Sequence, residues 1–255
     1  MHEPEAPTQT ANQELFSARD ELNKGAAAFR VQKYEDAIEH FRKSVSLDPT
    51  LPNAHLYLAT AYAQTYVPGK DAPENRDRTE SAIAEYETVL NRDPKNIDAI
   101  KGIAYLRLNL KQYEKALDYY QRAVDTDARD PANYYGVVYV DWTMAYVLRM
   151  ELRSKSGLTP AVSAIDKPVC TMIRAMNWNF VEHGIEMLDK AVKLSPEYID
   201  AMVYLNLLYR ERADMRCDDP HASEADSKQA DGWLDKAMAV KRSKDEGEKD
   251  VNNKK

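Results

Sequence analysis

The residue types that carry out chemistry are sparse in this sequence and form no motif of a known reaction. Its five histidines are scattered without the spacing of metal ligands: His2, His40, His55, His183 and His221. The sequence also contains no glycine-rich phosphate loop and no nucleophile elbow. We therefore predict a protein that is not an enzyme, with no catalytic residue, no metal site and no cofactor.

The composition of the chain limits its partners. The 255 residues carry a formal net charge of -7, and 30% of them are charged, with both signs interspersed. Nucleic-acid binding draws on clustered Lys and Arg, and no such stripe is present. No apolar run approaches the ~20 residues that a membrane-spanning helix needs. We therefore expect a protein or peptide partner, no nucleic acid and no membrane span.

A helical pattern recurs along most of the chain. Between Tyr34 and Pro49 small and apolar residues follow helical spacing, at Ala37, Phe41 and Ser44, and the proline ends the pattern. The same frame returns at Ala82, Tyr86, Val89 and Pro94, at Tyr113, Ala116, Tyr120 and Ala123, at Gly184, Leu188, Ala191 and Pro196, and at Ala230, Leu234 and Ala237. Five copies indicate a repeat protein.

This pattern resembles the second helix of the tetratricopeptide (TPR) repeat, a helix-turn-helix unit of about 34 residues. In the family's frame the characteristic positions of the first repeat fall on Gly25, Tyr34, Ala37, Phe41 and Ser44. The resemblance covers roughly residues 14 to 242 and extends to a group of bacterial TPR proteins with long insertions inside their repeats. It implies an all-α, right-handed superhelical solenoid of about five helix pairs, each made of a helix A and a helix B.

The repeat frame divides the chain into three parts. We expect a flexible leader over residues 1–12, the solenoid over residues 13–242 and a disordered tail over residues 243–255. The predicted repeats are residues 18–51, 52–96, 97–130, 131–198 and 199–242. Repeats 2, 4 and 5 carry insertions of about eleven, 34 and twelve residues between helices A and B.

The insertions have their own sequence signals. In repeat 2 the stretch 66–75 has the Pro and Gly punctuation of an ordered loop. In repeat 4 we expect helix A to run from Asn133 to about Lys155 and to end at Gly157 and Pro160. A new helix should start at Pro168 and continue into helix B. In repeat 5, Asp218 or Asp219 can cap helix B.

The family resemblance also implies a binding surface. Side chains at five positions of helix A face the concave groove in which family members bind peptide segments. Carried over, these positions give Arg19, Phe29 and Arg30 in repeat 1, Leu56, Thr60 and Gln64 in repeat 2, Lys101, Tyr105 and Asn109 in repeat 3, and Tyr135, Tyr139 and Trp142 in repeat 4. Aromatic, Arg and amide side chains suit a peptide. Alternatively, the three aromatic residues of repeat 4 pack that repeat against its own insertion.

One TPR subfamily clamps a C-terminal carboxylate with a Lys and an Asn of its first repeat. Leu22 and Ala26 occupy those positions here, and Lys101 with Tyr105 in repeat 3 lacks the Asn. This clamp is therefore not predicted. The sequence favours a non-catalytic scaffold for protein-protein interaction. A structural subunit of a larger assembly, or a small-ligand or enzymatic pocket built by the insertions, remain as alternatives.

The two cysteines bear on the compartment of the protein. Cys170 and Cys217 lie in or beside the insertions of adjacent repeats, and in a solenoid such turns emerge on one rim. A disulfide needs Cα atoms within roughly 7 Å, which this topology permits. The alternative is two free thiols in a reducing cytosol. The acidic start of the chain does not resemble a signal peptide, so we expect either an exported, for example periplasmic, mature protein or a cytoplasmic one.

Overall fold

The computed structural model describes residues 9–70, 72–155 and 167–252. Within these ranges the chain forms ten α-helices and no strand. The helices are α1 (Gln9–Arg30), α2 (Tyr34–Leu47), α3 (Ala54–Gln64), α4 (Pro73–Arg92), α5 (Ile97–Asn109), α6 (Tyr113–Thr126), α7 (Pro131–Lys155), α8 (Lys167–Leu194), α9 (Ile199–Asp214) and α10 (Pro220–Asn252). The predicted all-α class and the five helix pairs are confirmed.

The chain divides into two compact units, residues 1–119 and residues 120–255. In the first unit each helix from α1 to α5 packs against the next one, and α1 and α5 also contact α3. Since α1, α3 and α5 are the A helices of repeats 1 to 3, consecutive A helices touch each other as well as their own B helices. This nearest-neighbour packing is typical of a repeat array, in which no single core gathers all elements.

The small residues of the repeat frame lie where helices approach closely. A Cβ on Gly25 of α1 would lie 2.5 Å from the ring of Phe41 on α2, so any larger residue there would collide with that ring. Phe41 is buried, as are Ala37 and Ser44 in the same helix. The alanines of the later copies are also buried, whereas Leu234 on α10 is 37% exposed. The periodicity thus located the inter-helix contacts.

The turn between helix A and helix B has the same backbone conformation in repeats 1 and 3, which carry no insertion at this point. Gln32 and Lys111 close the turns of repeats 1 and 3, and both have left-handed backbone conformations with φ of 60° and 58°. In each turn the next residue donates its backbone N–H to a carbonyl of helix A: Lys33 to Ala28 at 3.0 Å, and Gln112 to Arg107 at 2.9 Å. These bonds satisfy carbonyl groups that the end of a helix leaves unpaired.

The second unit contains α7 to α10, in which α7 packs along α8, α8 on α9 and α9 on α10. The long helix A of repeat 4 and the helix that begins beside Pro168 and continues into helix B are both present, as α7 and α8. The helix stop predicted at Gly157 and Pro160 lies outside the described residues. The first turns of α8 bury Cys170, Ile173 and Asn177, while Met172 and Met176 face outward.

Three local features differ from the sequence prediction or refine it. The loop expected over 66–75 is shorter, because Pro73 begins α4 and takes Asn75 into the helix. Asn75 orders the remaining loop, since its Oδ1 accepts from Val67 N at 2.9 Å and its Nδ2 donates to Val67 O at 2.9 Å. Asp219 caps α10 by accepting from Ala222 N at 2.9 Å.

The ends of the described chain are more helical than the sequence predicted. α1 begins at Gln9, inside the expected leader, and α10 continues to Asn252, through most of the expected disordered tail. The stretch 243–252 has no apolar face and contains Gly247 and two Asp beside its two Lys and two Glu. A helix that is already nucleated can still continue through it, because each further residue adds one backbone hydrogen bond.

Candidate functional site

The first unit contains a cleft of about 530 Å³ between its A helices and the B helices behind them. Its lining residues are Ala26, Phe29 and Arg30 of α1, Phe41 of α2, Leu56, Tyr57 and Thr60 of α3, Tyr86 of α4, and Asp98 of α5. Four of the predicted groove residues therefore come together here, namely Phe29, Arg30, Leu56 and Thr60.

Aromatic rings form the floor of this cleft. Phe41 and Tyr86 are 2% and 4% exposed, and the ring of Tyr57 lies with its centroid 5.8 Å from that of Phe41. The hydroxyl groups of Thr60 and Tyr86 lie 3.2 Å apart, within hydrogen-bond distance. Burial raises the pKa of Tyr86. The floor is therefore an uncharged apolar surface with one hydroxyl pair.

Two opposite charges lie at the edge of the cleft. Arg30 at the end of α1 and Asp98 in the first turn of α5 are both exposed. Neither has an ion-pair partner among the residues that the structure describes. A ligand with an apolar group and flanking charges could therefore pair with these side chains without breaking an existing ion pair.

The other predicted groove residues of the first unit lie outside the lining of the cleft. Arg19 and Gln64 are exposed on α1 and α3, and Tyr105 is 46% exposed on α5. Asn109 donates its Nδ2 to Tyr105 O at 2.7 Å, so its amide is used within its own helix. Lys101 is half-buried and takes part in an interaction of its own.

In the second unit the predicted residues Tyr135, Tyr139 and Trp142 belong to a larger group of rings, here called the aromatic cluster. It consists of Tyr135, Tyr139, Trp142 and Tyr146 on α7, Tyr198 just before α9, and Tyr204 on α9. Tyr204 is central, since its ring centroid lies 5.2 Å from Tyr135, 5.9 Å from Tyr139 and 5.6 Å from Trp142. These contacts join helix A of repeat 4 to helix A of repeat 5.

The phenol groups at the centre of the aromatic cluster stay neutral at physiological pH. Burial raises the pKa of Tyr198 to about 12 and raises that of Tyr204 further, and the negative charge of Asp200 adds to both shifts. Burial raises the pKa of Tyr135 as well. Tyr198, Asp200 and Tyr204 were not predicted from the sequence, because helix A of repeat 5 carries no strong copy of the repeat frame.

Near the insertions of repeats 4 and 5, Cys170 and Cys217 form a disulfide with their Cα atoms 5.8 Å apart. It joins the start of α8 to the turn between α9 and α10. Arg149 of α7 pairs with Glu211 and Asp214 of α9 close by. The disulfide and these ion pairs therefore hold the ends of three helices together.

Three histidines of the helix pairs contact carboxylates. His40 Nδ1 lies 2.7 Å from Glu21 Oε2, His55 Nδ1 lies 2.5 Å from Glu85 Oε2, and His183 Nδ1 lies 2.7 Å from Asp141 Oδ2. Each pair links two helices. Among the described residues, no group of three or more His, Cys, Asp or Glu side chains is placed to hold a metal ion, and no helix is long and apolar enough to cross a membrane.

Comparisons with known proteins agree on one family. Helix pairs whose A helices pack in sequence define a helical repeat protein. Residues 25–65 match the family described as "TPR repeat", and residues 76–138 match the family described as "Tetratricopeptide repeat". The chain therefore contains tetratricopeptide repeats, as its sequence pattern predicted.

Relatives of known structure share the fold. The crystal structure of MamA is 15% identical, covers 90% of this chain and 94% of its own, and has a TM-score of 0.61. The structure of YrrB, described as a TPR protein with an unusual peptide-binding site, is 17% identical, covers 91% of this chain and 89% of its own, and has a TM-score of 0.55. At these identities the likeness shows the fold alone.

Relatives by sequence are longer proteins. Hsp70-Hsp90 organizing protein 3 of Arabidopsis thaliana is 24% identical over 151 residues, which are 58% of this chain and 24% of that protein. The chain spans a quarter or less of the length of the curated relatives it matches.

Proposed function

We propose that this protein is a non-catalytic scaffold for protein-protein interaction and that the cleft of the first unit holds a peptide segment of its partner. The observation that carries this proposal is the lining of the cleft. Four side chains at groove-facing positions of two consecutive A helices border a single space of about 530 Å³ with an aromatic floor. Concave, mostly apolar spaces with a few polar groups are the usual sites of ligand binding.

The lining indicates the chemistry of the bound segment. Phe29, Leu56 and Tyr57 offer an apolar space for one large side chain, which is the kind of anchor that carries most of the affinity in peptide recognition. Arg30 and Asp98 at the edge can pair with an acidic and a basic residue that flank this anchor. We therefore propose a partner segment with an apolar anchor between charged residues.

The comparisons support peptide recognition and leave its mode open. The relatives include an Hsp70-Hsp90 organizing protein and a TPR protein described as having an unusual peptide-binding site. Leu22 and Ala26 stand where a carboxylate clamp would have Lys and Asn. We therefore propose recognition through side chains of the segment rather than through a C-terminal carboxylate.

Selection from a random peptide library on the purified protein tests the cleft. Enriched peptides should bind the unaltered protein and lose at least about tenfold in affinity for Leu56→Glu, because the new carboxylate would have to be buried against the anchor. Ala84→Glu is the matched control, since it adds the same charge to an exposed position of α4. Circular dichroism checks that both variants fold. Equal affinity for the two variants would mean that the peptides bind elsewhere and would refute the proposed binding site in the cleft.

We also propose that the protein works in an oxidising compartment such as a periplasm. Disulfides persist in such compartments and are rare in the cytosol, and Cys170 is bonded to Cys217. Alkylation of protein isolated from its native source, followed by intact-mass measurement with and without prior reduction, tests this. A mass change that requires reductant is expected. Two thiols alkylated in unreduced, denatured protein would refute the proposal.

A further inference from the structure

Two pairs of rings in the aromatic cluster of the second unit stand nearly perpendicular to each other. The ring planes of Tyr135 and Tyr204 cross at 85°, and those of Trp142 and Tyr204 cross at 78°. Where two rings stand nearly perpendicular, a cation in the corner between them can contact the faces of both. Ring faces carry partial negative charge, which attracts cations most strongly where water is excluded.

The cluster is open to a partner at several of its rings. Tyr139 is 38% exposed and Tyr146 is 46% exposed, whereas the other four members are half-buried. A cluster that served only to pack α7 on α9 would not need two such large exposed rings on one helix. Half-buried rings with exposed neighbours match the make-up of interface anchors, which are enriched in Tyr and Trp.

A carboxylate stands next to these rings. Asp200 lies one helical turn before Tyr204 on α9, so the two side chains are neighbours on one helix face. Its charge reaches Tyr135, Tyr198 and Tyr204, since it contributes to the raised pKa of all three. Asp200 is exposed and has no ion-pair partner among the described residues.

The other two tryptophan rings of the chain already contact cationic side chains of the same chain. The guanidinium of Arg216 lies 4.8 Å and that of Arg174 lies 5.3 Å from the centre of the Trp178 ring, and Lys236 Nζ lies 4.2 Å from that of Trp233. The second unit thus contains three contacts of a cationic group with an indole ring. They show which distances and cations an indole in this fold accommodates.

We propose that the aromatic cluster and Asp200 bind an arginine or lysine side chain of a partner protein segment. The cation would sit against the perpendicular rings and pair with the carboxylate. The net charge of -7 favours the approach of such a segment. This site is separate from the cleft of the first unit, and its biological use rests on the proposed role in protein interaction.

The test uses the indole N–H signals of the full chain in NMR spectra. The chain has three tryptophans, Trp142, Trp178 and Trp233, and Trp142→Phe identifies the signal that belongs to the cluster. The probes are a short Gly/Ser peptide that contains arginine and the same peptide with citrulline, which has nearly the shape of arginine but no charge. The arginine peptide should shift the Trp142 signal and bind about fivefold or more tightly than the citrulline peptide.

Two variants distinguish the site from general attraction to an acidic protein. Asp200→Asn should weaken binding of the arginine peptide about fivefold, and Tyr139→Leu should weaken it although the position stays apolar. Asp235→Asn, at an exposed position of α10, makes the same change in net charge and should have no effect. Equal effects of the two Asp variants, or equal binding of both peptides, would overturn the proposal. Because the signal is that of Trp142, the result does not depend on whether the cleft of the first unit binds peptides.

Discussion

At the scale of single residues, buried polar side chains fix where helices meet. Ser44 Oγ donates to Ala18 O at 2.8 Å, Asn177 Nδ2 donates to Ala145 O at 2.7 Å, and Asn206 Nδ2 donates to Ala230 O at 2.8 Å. Each bond links one helix to the backbone of an adjacent helix, and each donor is buried. A buried donor without a partner would be costly, so these bonds specify one register of the helix pair.

The charge of Glu21 stabilises the folded state of the first unit. The contact with His40, together with hydrogen bonds from Lys24 and Lys43 at 3.1 Å and 3.2 Å, lowers the pKa of Glu21 to about 2 against the opposing effect of burial. A carboxylate with a lowered pKa in the folded state stabilises that state above its ordinary pKa. The contribution is lost as the pH falls from about 4.5 toward 2.

We therefore predict that Glu21→Gln lowers the free energy of unfolding at neutral pH by about 1 to 3 kcal/mol. The difference from the unaltered protein should shrink as the pH falls through this window, because Glu21 itself becomes protonated there. Urea unfolding at several pH values measures both effects. Glu39→Gln, at an exposed position of α2, should change little. A difference that does not depend on pH would contradict the role of the charge.

At the scale of elements, each helix pair depends on small residues at its closest approach. Ala116 and Ala123 on α6 are fully buried, whereas Lys115 on the same helix is exposed. Added methylene groups at a packed contact force neighbouring helices apart or side chains out of their preferred rotamers. The repeat frame therefore predicts which positions of α6 tolerate a larger side chain.

We predict that Ala123→Leu lowers the free energy of unfolding by roughly 1 to 3 kcal/mol, since its extra volume enters a packed interface. Lys115→Leu puts the same side chain on the solvent-facing side of α6 and should change the stability by less than about 0.5 kcal/mol. Thermal or urea unfolding of the two variants makes the comparison. Equal stabilities would mean that the frame is misplaced on α6.

At the scale of the whole molecule, most contacts join helices that are close in sequence, whereas one disulfide joins residues that are far apart in sequence. Helices contact mainly the next helix or the next but one. The Cys170–Cys217 bond instead joins residues 47 apart in sequence, and both cysteines lie in the second unit. Closing a loop of this length removes conformational freedom from the unfolded chain, which stabilises the folded state by about 4 kcal/mol in the chain-entropy model.

We predict that reduction of this bond lowers the unfolding midpoint of the second unit. All three tryptophans, Trp142, Trp178 and Trp233, belong to that unit, so tryptophan fluorescence reports its unfolding directly. The midpoint in urea should fall when reductant is added. A variant with Cys170→Ser and Cys217→Ser should unfold at the lower midpoint with or without reductant. An unchanged midpoint in the unaltered protein would show that the bond adds no stability.

Local periodicity in the sequence predicted the helix pairs of this protein but not where its first and last helices end. A helix records its buried face in the spacing of small and apolar residues, so the repeat frame already marked Gly25 and Phe41, whose contact the structure shows. Prolines and capping residues act locally too, as at Asp219. From the sequence, a disulfide between Cys170 and Cys217 was only one of two alternatives. The repeat topology brings the two turns near each other but does not set the distance between the two Cα atoms.

Tertiary structure alone decided which groove residues meet. Phe29 and Leu56 line one cleft, while Arg19 and Gln64 on the same helices lie outside it, because the rotation and spacing of neighbouring helices select the positions that share a space. Tyr204 joined the rings of repeat 4 for the same reason. Its helix carries no strong copy of the sequence frame, so only the packing of α7 against α9 places this ring at the centre of the aromatic cluster.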